Sequence, residues 1–288
     1  MKVVTRAAVL RALVRRARRA DESIGFVPTM GSLHEGHLAL VRRARRENDR
    51  VVVSVFVNPL QFAPHEDLAR YPRDAARDAR MSHAAGCDWF FLPGVRALYP
   101  PGFSTRVAAG RVASRWEGAT RPGHFDGVAT VVLKLLHLVG PDTLYLGQKD
   151  AQQARVVAAM IRDFDVGVRL VVCPTVRARD GLALSSRNAY LDAEERRRAA
   201  GLIRALRAGR AAARAGARDA GIILRAVRGA LLREARPDGV DYVALVDPQT
   251  FEPQRRLTGR GLLIAAIQIG GTRLIDNLGV SAPRARTA

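Results

Sequence analysis

Two histidines three residues apart, His34 and His37, stand in the run Pro28-Thr29-Met30-Gly31-Ser32-Leu33-His34-Glu35-Gly36-His37. An apolar run, Ile24 to Val27, precedes it and reads as a strand. Leu38 to Ala44 follows it and reads as a helix. The glycines make a tight strand-to-helix turn where a phosphate chain can approach the backbone. Histidines three apart in the first turn of a helix face the same side. Imidazoles placed there can donate hydrogen bonds to phosphate oxygens as charge develops on them. That chemistry is nucleotidyl transfer. The bland alternatives are a structural histidine and a zinc pair. The spacing is H-x-x-H rather than the H-E-x-x-H of a metalloprotease helix. His65, His83, His124, His137, Cys87 and Cys173 fall in no ligand-like array.

Four further segments carry polar groups of the right types. Asn58 and Gln61, in Phe56-Val57-Asn58-Pro59-Leu60-Gln61, are amides that donate and accept at once, which suits the hydroxyls and carboxylate of a small polar substrate. The alternative is an Asn-Pro turn. In Gly147-Gln148-Lys149-Asp150-Ala151-Gln152-Gln153, Lys149 is a mobile cation for phosphate oxygens, and Gln153 lies one turn later. The alternative is a surface Lys–Asp pair. Leu184-Ser185-Ser186-Arg187 is a donor-rich loop fit for a triphosphate tail or pyrophosphate, or else a serine helix cap. Arg121-Pro122-Gly123-His124 reads as a lid, as a second carboxylate site, or as structure alone.

These segments need a scaffold. Short non-alternating runs at Ile24–Thr29, Val51–Val57, Trp89–Leu92, Thr143–Leu146 and Val168–Val172 read as strands buried on both faces of a parallel sheet, with helices between. The first part of the chain is therefore a doubly wound α/β domain, whose ligand belongs beyond the carboxyl ends of its strands. After about Pro174 the pattern changes. Asp192 and Glu195 form a capping box ahead of one long Ala/Arg helix. A second helix covers roughly 219–235. Tyr242–Val246, Leu262–Ile269 and Arg273–Leu278 read as antiparallel strands, the last two joined by a Gly270-Gly271 turn. The division expected is residues 1–175, binding substrates, and residues 176–288, a smaller α+β domain closing over the site. Ser281–Ala288 is expected to fray.

With 288 residues, 48% of them hydrophobic, the chain has material for a sizeable core. It has no apolar run of membrane-spanning length. Two unpaired cysteines suit a reduced, cytoplasmic setting. The charge of +20 raises nucleic acid as a partner. Of the 47 basic residues only Lys2, Lys134 and Lys149 are lysine, leaving 44 arginines, scattered over helices without interleaved aromatics. No stacking platform results, so the reading is a solvated basic surface and no nucleic acid. Against that background a surviving lysine marks a need for a compact charge. Met1 to Ala20 is Arg-rich and acid-free, like a transit peptide, but Val3, Ala7, Leu10, Val14 and Ala17 share one helical face. A surface helix of the domain is expected, with no secretory segment.

Taken together, P-T-M-G-x-L-H-E-G-H, F-V-N-P-x-Q-F, Y-P-R, R-P-G-H-F-x-G-V, G-x-K-D-x-Q-Q and D-G-L-A-x-S-S-R-N-x-Y-L, in this order, resemble the pantothenate synthetase (pantoate–β-alanine ligase) family. The H-x-G-H core alone would indicate only the wider nucleotidyltransferase superfamily. The resemblance implies a Rossmann-like N-terminal domain, a smaller C-terminal domain and a homodimer. It implies that Met30, Gly31, Ser32, Leu33, His34, Glu35, Gly36 and His37 bind ATP, with His34 and His37 on its phosphates and His37 the proton donor. Gly147, Gln148, Lys149, Asp150, Leu184, Ser185, Ser186 and Arg187 would also bind ATP, and Val176 its adenine through the backbone. The chemistry would rest on His37, His34, Lys149 and Arg187. Gln61 and Gln153 would hold pantoate, with Gln61 also near β-alanine and Asn58 beside them. Asp78 matches the acidic position of a magnesium–phosphate cluster. The implied substrates are ATP, with Mg2+, pantoate and β-alanine, with no membrane partner. Gln148 stands where the family commonly has Glu, and Leu184 where it commonly has Met.

Overall fold

The computed structural model describes residues 1–63, 66 and 68–282. His65 and most of the tail expected to fray lie outside them. The chain divides into two compact units, Met1–Gln148 with Gln152–Pro174, and Lys149–Ala151 with Thr175–Ala288.

The first unit is built on six strands: β1 (Lys2–Val4), β2 (Ile24–Thr29), β3 (Arg50–Val55), β4 (Trp89–Phe91), β5 (Thr143–Gly147) and β6 (Arg169–Cys173). Their order in the sheet is β1-β4-β3-β2-β5-β6, and every pairing is parallel. The helices are α1 (Ala7–Arg19), α2 (Glu35–Glu47), α3 (Ala75–Ala84), α4 (Val95–Leu98), α5 (Glu117–Thr120), α6 (His124–Val139) and α7 (Ala151–Asp163), whose first residue groups with the second unit. Side chains alternate between the two faces of the sheet. Phe26, Val52, Phe91 and Leu144 pack with Leu10 of α1, Leu135 of α6 and Val157 of α7. Val27, Val53, Phe90 and Tyr145 pack with Leu38, Val41 and Ala44 of α2. Both faces are covered, which is why the strands read as continuous apolar runs.

The strand order runs outward in one direction from β2 through β3 and β4, and in the other through β5 and β6. The switch therefore lies between β2 and β5, where a doubly wound sheet opens a crevice at its carboxyl edge. Residues 2–4, read as part of a surface helix, instead form the edge strand β1. Lys2 donates its amide to the Asp88 carbonyl at 2.7 Å, and α1 starts only at Ala7. Three residues carry too little helical signal to reveal a pairing made with β4, 87 positions on.

The second unit holds α8 (Ala193–Ala199), α9 (Gly201–Arg214), α10 (Ala220–Glu234) and an antiparallel sheet of β7 (Gly239–Val246), β8 (Arg260–Ile269) and β9 (Thr272–Ser281) in that order. Leu206, Ile223, Val227, Leu245, Leu263 and Ile267 form its core. The Asp192–Glu195 capping box is present, with bonds of 2.9 and 2.8 Å. Gly270 and Gly271 turn the β8–β9 hairpin at φ +55° and +76°, the left-handed pair that a tight hairpin needs. The single Ala/Arg helix expected here is two. It breaks before Gly201, where an added Cβ would sit 2.4 Å from the Glu234 backbone. The end of α10 packs onto that spot, and only a residue without a side chain admits it.

Candidate active site

Three of the predicted segments leave the carboxyl edge of the parallel sheet: Met30–His34 after β2, Asn58–Gln61 after β3, and Gly147, the last residue of β5. The first is held from within and from behind. Thr29 Oγ1 donates to the Ser54 carbonyl at 2.8 Å and accepts the Gly31 amide at 3.2 Å. Gly31 has φ +88° and Ser32 φ +52°. A Cβ on Gly31 would lie 3.0 Å from both Asp78 Oδ2 and Val55 Cγ1, so glycine is required twice over. Leu33 is buried beneath the loop and fixes it to the core.

His34 is the N-cap of α2. Its Nδ1 accepts the Gly36 amide at 3.1 Å, and His37 Nδ1 accepts the His34 amide at 3.4 Å. The rings lie 4.0 Å apart at 33°. A neutral imidazole accepting at Nδ1 carries its proton on Nε2, so the reciprocal cap selects the tautomer of both rings. Each ring then carries its proton on Nε2 at a helix N-terminus, where the backbone dipole favours an anion. The exposed Glu35 pairs with Arg42, two turns further along α2.

Asp78, expected at a magnesium–phosphate cluster, has other work for its oxygens. Oδ2 accepts the Ser32 amide at 2.9 Å and Oδ1 the Leu33 amide at 2.8 Å, and the residue is 1% exposed. Burial pushes its carboxyl above the usual range, and the Leu33 and Ser32 amides offset part of that. Among the described residues no group of three or more His, Cys, Asp or Glu is placed to hold a metal ion. Asp78 is a clamp on the loop.

Asn58, expected beside the substrates, sits inside the protein. It is fully buried, and all four of its hydrogen-bonding positions are used inside the protein. Nδ2 donates to Gln61 Oε1 at 2.9 Å and to the Gly127 carbonyl at 3.0 Å. Oδ1 accepts from the Leu60 amide at 3.3 Å and from Tyr99 Oη at 2.9 Å. These bonds hold Gln61. Arg121 and His124, read as a lid or a second carboxylate site, also bond to this segment, through the Gln61 carbonyl. Of the paired glutamines, Gln152 is buried and bonds to the 112–117 segment through Val112, Arg115 and Glu117. Gln153 is half-buried in the first turn of α7.

The other predicted nucleotide segments belong to the second unit, apart from Gly147 and Gln148. Lys149 Nζ lies 3.2 Å from Asp150 Oδ1, and its carbonyl accepts from Asn277 Nδ2 at 3.0 Å. Residues 176–184 form a small hairpin, with Leu184 donating to the Val176 carbonyl at 3.0 Å. Arg177 grips Asp276 of β9 through two bonds of 2.6 and 2.9 Å. Ser185 caps the 3-10 turn Ser186–Tyr190 by accepting the Arg187 amide at 3.3 Å. The sequence reading missed Asp276 and Asn277. Their signal is two adjacent polar residues, one of them charged, set between the apolar Leu274-Ile275 and Leu278 of the same strand.

A family model for pantoate-beta-alanine ligase matches residues 2–279. The chain is 49% identical to the pantothenate synthetase of Moorella thermoacetica over 96% of this chain and 98% of that one.

The chain belongs to the pantoate–β-alanine ligase family.

As a member it is a ligase of pantothenate formation, joining pantoate to β-alanine. The crystal structure of pantothenate synthetase from Thermus thermophilus is 52% identical, with a TM-score of 0.91 over 96% of this chain and 99% of that one. The pantoate-beta-alanine ligase of Francisella tularensis, solved in complex with beta-gamma ATP and beta-alanine, is 34% identical, with a TM-score of 0.78 over 96% and 97%. The fold of this ligase is therefore the one these two structures share. No helix among the described residues is long and apolar enough to cross a membrane.

Proposed function

We propose that the ligase works through an acyl adenylate. The pantoate carboxylate attacks the α-phosphorus of ATP, and pyrophosphate leaves. The β-alanine amine then attacks the activated carbonyl and expels AMP. A free carboxylate is a poor acyl donor because its leaving group is an oxide, and adenylation supplies a stable one. The observation that carries this reading is the reciprocal cap, which commits Nδ1 of both His34 and His37 to the backbone. Two Nε2–H donors at the N-terminus of α2 suit phosphate oxygens that gain charge as the bond to the α-phosphorus exchanges. His37 is assigned as the proton donor.

In this reading Met30–His37, with Gly147, Gln148, Lys149 and Asp150, receives the nucleotide. Val176 meets the adenine through its backbone, and Leu184, Ser185, Ser186 and Arg187 meet the phosphates. Gln61 and Gln153 hold pantoate, Gln61 also standing beside β-alanine. Gln61 Oε1 accepts from Asn58, which leaves its amide hydrogens as the donating side. The unit from residue 176 onward is assigned to closing the site. Magnesium is expected on the triphosphate, held by phosphate oxygens and water as that ion prefers. A cytoplasmic homodimer is the proposed form.

Isotope exchange between pyrophosphate and ATP tests the adenylate. Exchange that requires pantoate and does not require β-alanine is expected. Exchange without pantoate, or none until β-alanine is added, would overturn it. Sedimentation analysis gives the assembly state.

A further inference from the structure

The network around Arg121 and His124 is built on the one residue here assigned to both organic substrates. Gln61 is fixed at its side chain, where Oε1 takes the Asn58 amide at 2.9 Å, and at its main chain. Its carbonyl accepts from His124 Nδ1 at 2.9 Å and from Arg121 Nη2 at 3.3 Å. Arg121 Nη1 lies 3.0 Å from His124 Nε2. A guanidinium has no acceptor, so Nε2 must offer its lone pair and the single ring proton must sit on Nδ1. That proton is the one that reaches the Gln61 carbonyl.

Glu66 takes Arg121 Nε and Nη2 at 2.7 and 2.8 Å and holds the guanidinium against the imidazole. Burial, reinforced by the Arg121 charge, pulls His124 down to about 4, so the ring stays neutral in the working range. Below the turn, α6 packs so closely that a Cβ on Gly127 would lie 2.2 Å from the Leu60 carbonyl oxygen. Neither Arg121 nor His124 needs a substrate to satisfy its hydrogen bonds.

We propose that Arg121 and His124 are positioning residues for the hydroxy-acid substrate: they aim Gln61 by holding its main chain, and so set pantoate affinity while leaving nucleotide affinity alone. The proposal rests on the reading that Gln61 binds pantoate. It separates the two glutamine sites, since Gln153 has no part in this network.

Steady-state kinetics on the full-length enzyme test it with four variants. In H124N the amide nitrogen stands where Nδ1 was and can still donate to the Gln61 carbonyl. In H124Q the donor lies one bond further out. R121K removes the contact with Nε2, and Q61A removes the aimed side chain. Expected are a rise in pantoate KM on the order of tenfold in H124Q and R121K, an ATP KM within about twofold of wild type, and recovery in H124N. Should H124Q fail to fold by circular dichroism, R121K carries the same comparison. If Q61A raises pantoate KM while H124Q and R121K do not, the positioning role is wrong. Equal rises for ATP and pantoate with no recovery in H124N also overturn it, since a general loss of structure would act that way. If Q61A leaves pantoate KM unchanged, the reading of Gln61 itself fails.

Discussion

Asp78 and Ser32 are 46 residues apart in sequence, yet Asp78 Oδ2 accepts the Ser32 amide at 2.9 Å, with Leu33 on the other oxygen. One carboxylate thus holds a non-glycine residue in the left-handed region, two positions before His34. In Asp78→Asn one of the two acceptors becomes a donor facing a backbone N–H. A loop displaced by a fraction of an ångström misaims both rings, and misplacement of that kind costs up to about 100-fold. The expected result is a roughly 10- to 100-fold fall in pyrophosphate exchange with folding retained. Wild-type exchange in the variant would remove Asp78 from loop positioning.

His37→Ala removes one Nε2–H donor and the acceptor of the His34 amide. Loss of one placed donor in such a site costs about 100- to 1,000-fold. Pantoate-dependent exchange is expected to fall by that factor. The capping loss costs only about 1 kcal/mol, so thermal melting should move by a few degrees at most. An active His37→Ala enzyme contradicts the proton-donor assignment.

Lys149 pairs with the half-exposed Asp150, a contact worth at most about 1 kcal/mol to stability. Lys149→Ala should therefore melt near wild type while adenylation drops about 100- to 1,000-fold. Lys149→Arg is the sharper variant in so arginine-rich a chain. If only a compact ammonium serves, it too should be slow; full activity with Arg would show that charge alone suffices.

Gly127→Ala introduces a Cβ 2.2 Å from the Leu60 carbonyl oxygen. Neither helix α6 nor the Asn58–Gln61 turn can give way without breaking the Asn58 bonds. A loss of about 1–3 kcal/mol in urea denaturation is expected, together with weaker pantoate binding. Unchanged stability would show that α6 and the turn can separate without cost.

The His124 shift carries a pH signature. Its ordinary value is 6.5 and its folded value about 4, so between the two the unfolded chain binds the proton and the folded one does not. The contribution to stability is complete above 6.5 and drains away as pH falls toward 4. Wild type should therefore lose more stability than His124→Asn over that interval, read by urea denaturation at stepped pH. Asp78 titrates in both proteins and cancels. Parallel curves would mean that His124 is not held neutral.

The amino-acid sequence by itself determined the parallel sheet, the place of the strand-to-helix turn that carries His34 and His37, and the second unit's hairpin. Runs such as Val51–Val53 and Leu144–Leu146, apolar at consecutive positions, have one stable home, between two layers of helix. The left-handed turn at Gly270-Gly271 and the Asp192–Glu195 cap are local and therefore readable. So is the histidine pair, because a helical turn brings positions three apart together. Tertiary structure alone decided what Asp78, Asn58, His124 and Asp276 do. Each is a polar side chain whose partners lie up to 99 residues away, at Ser32, Gly127, Gln61 and Arg177. Residue type announces that such a group must be satisfied. Only the folded chain says by whom.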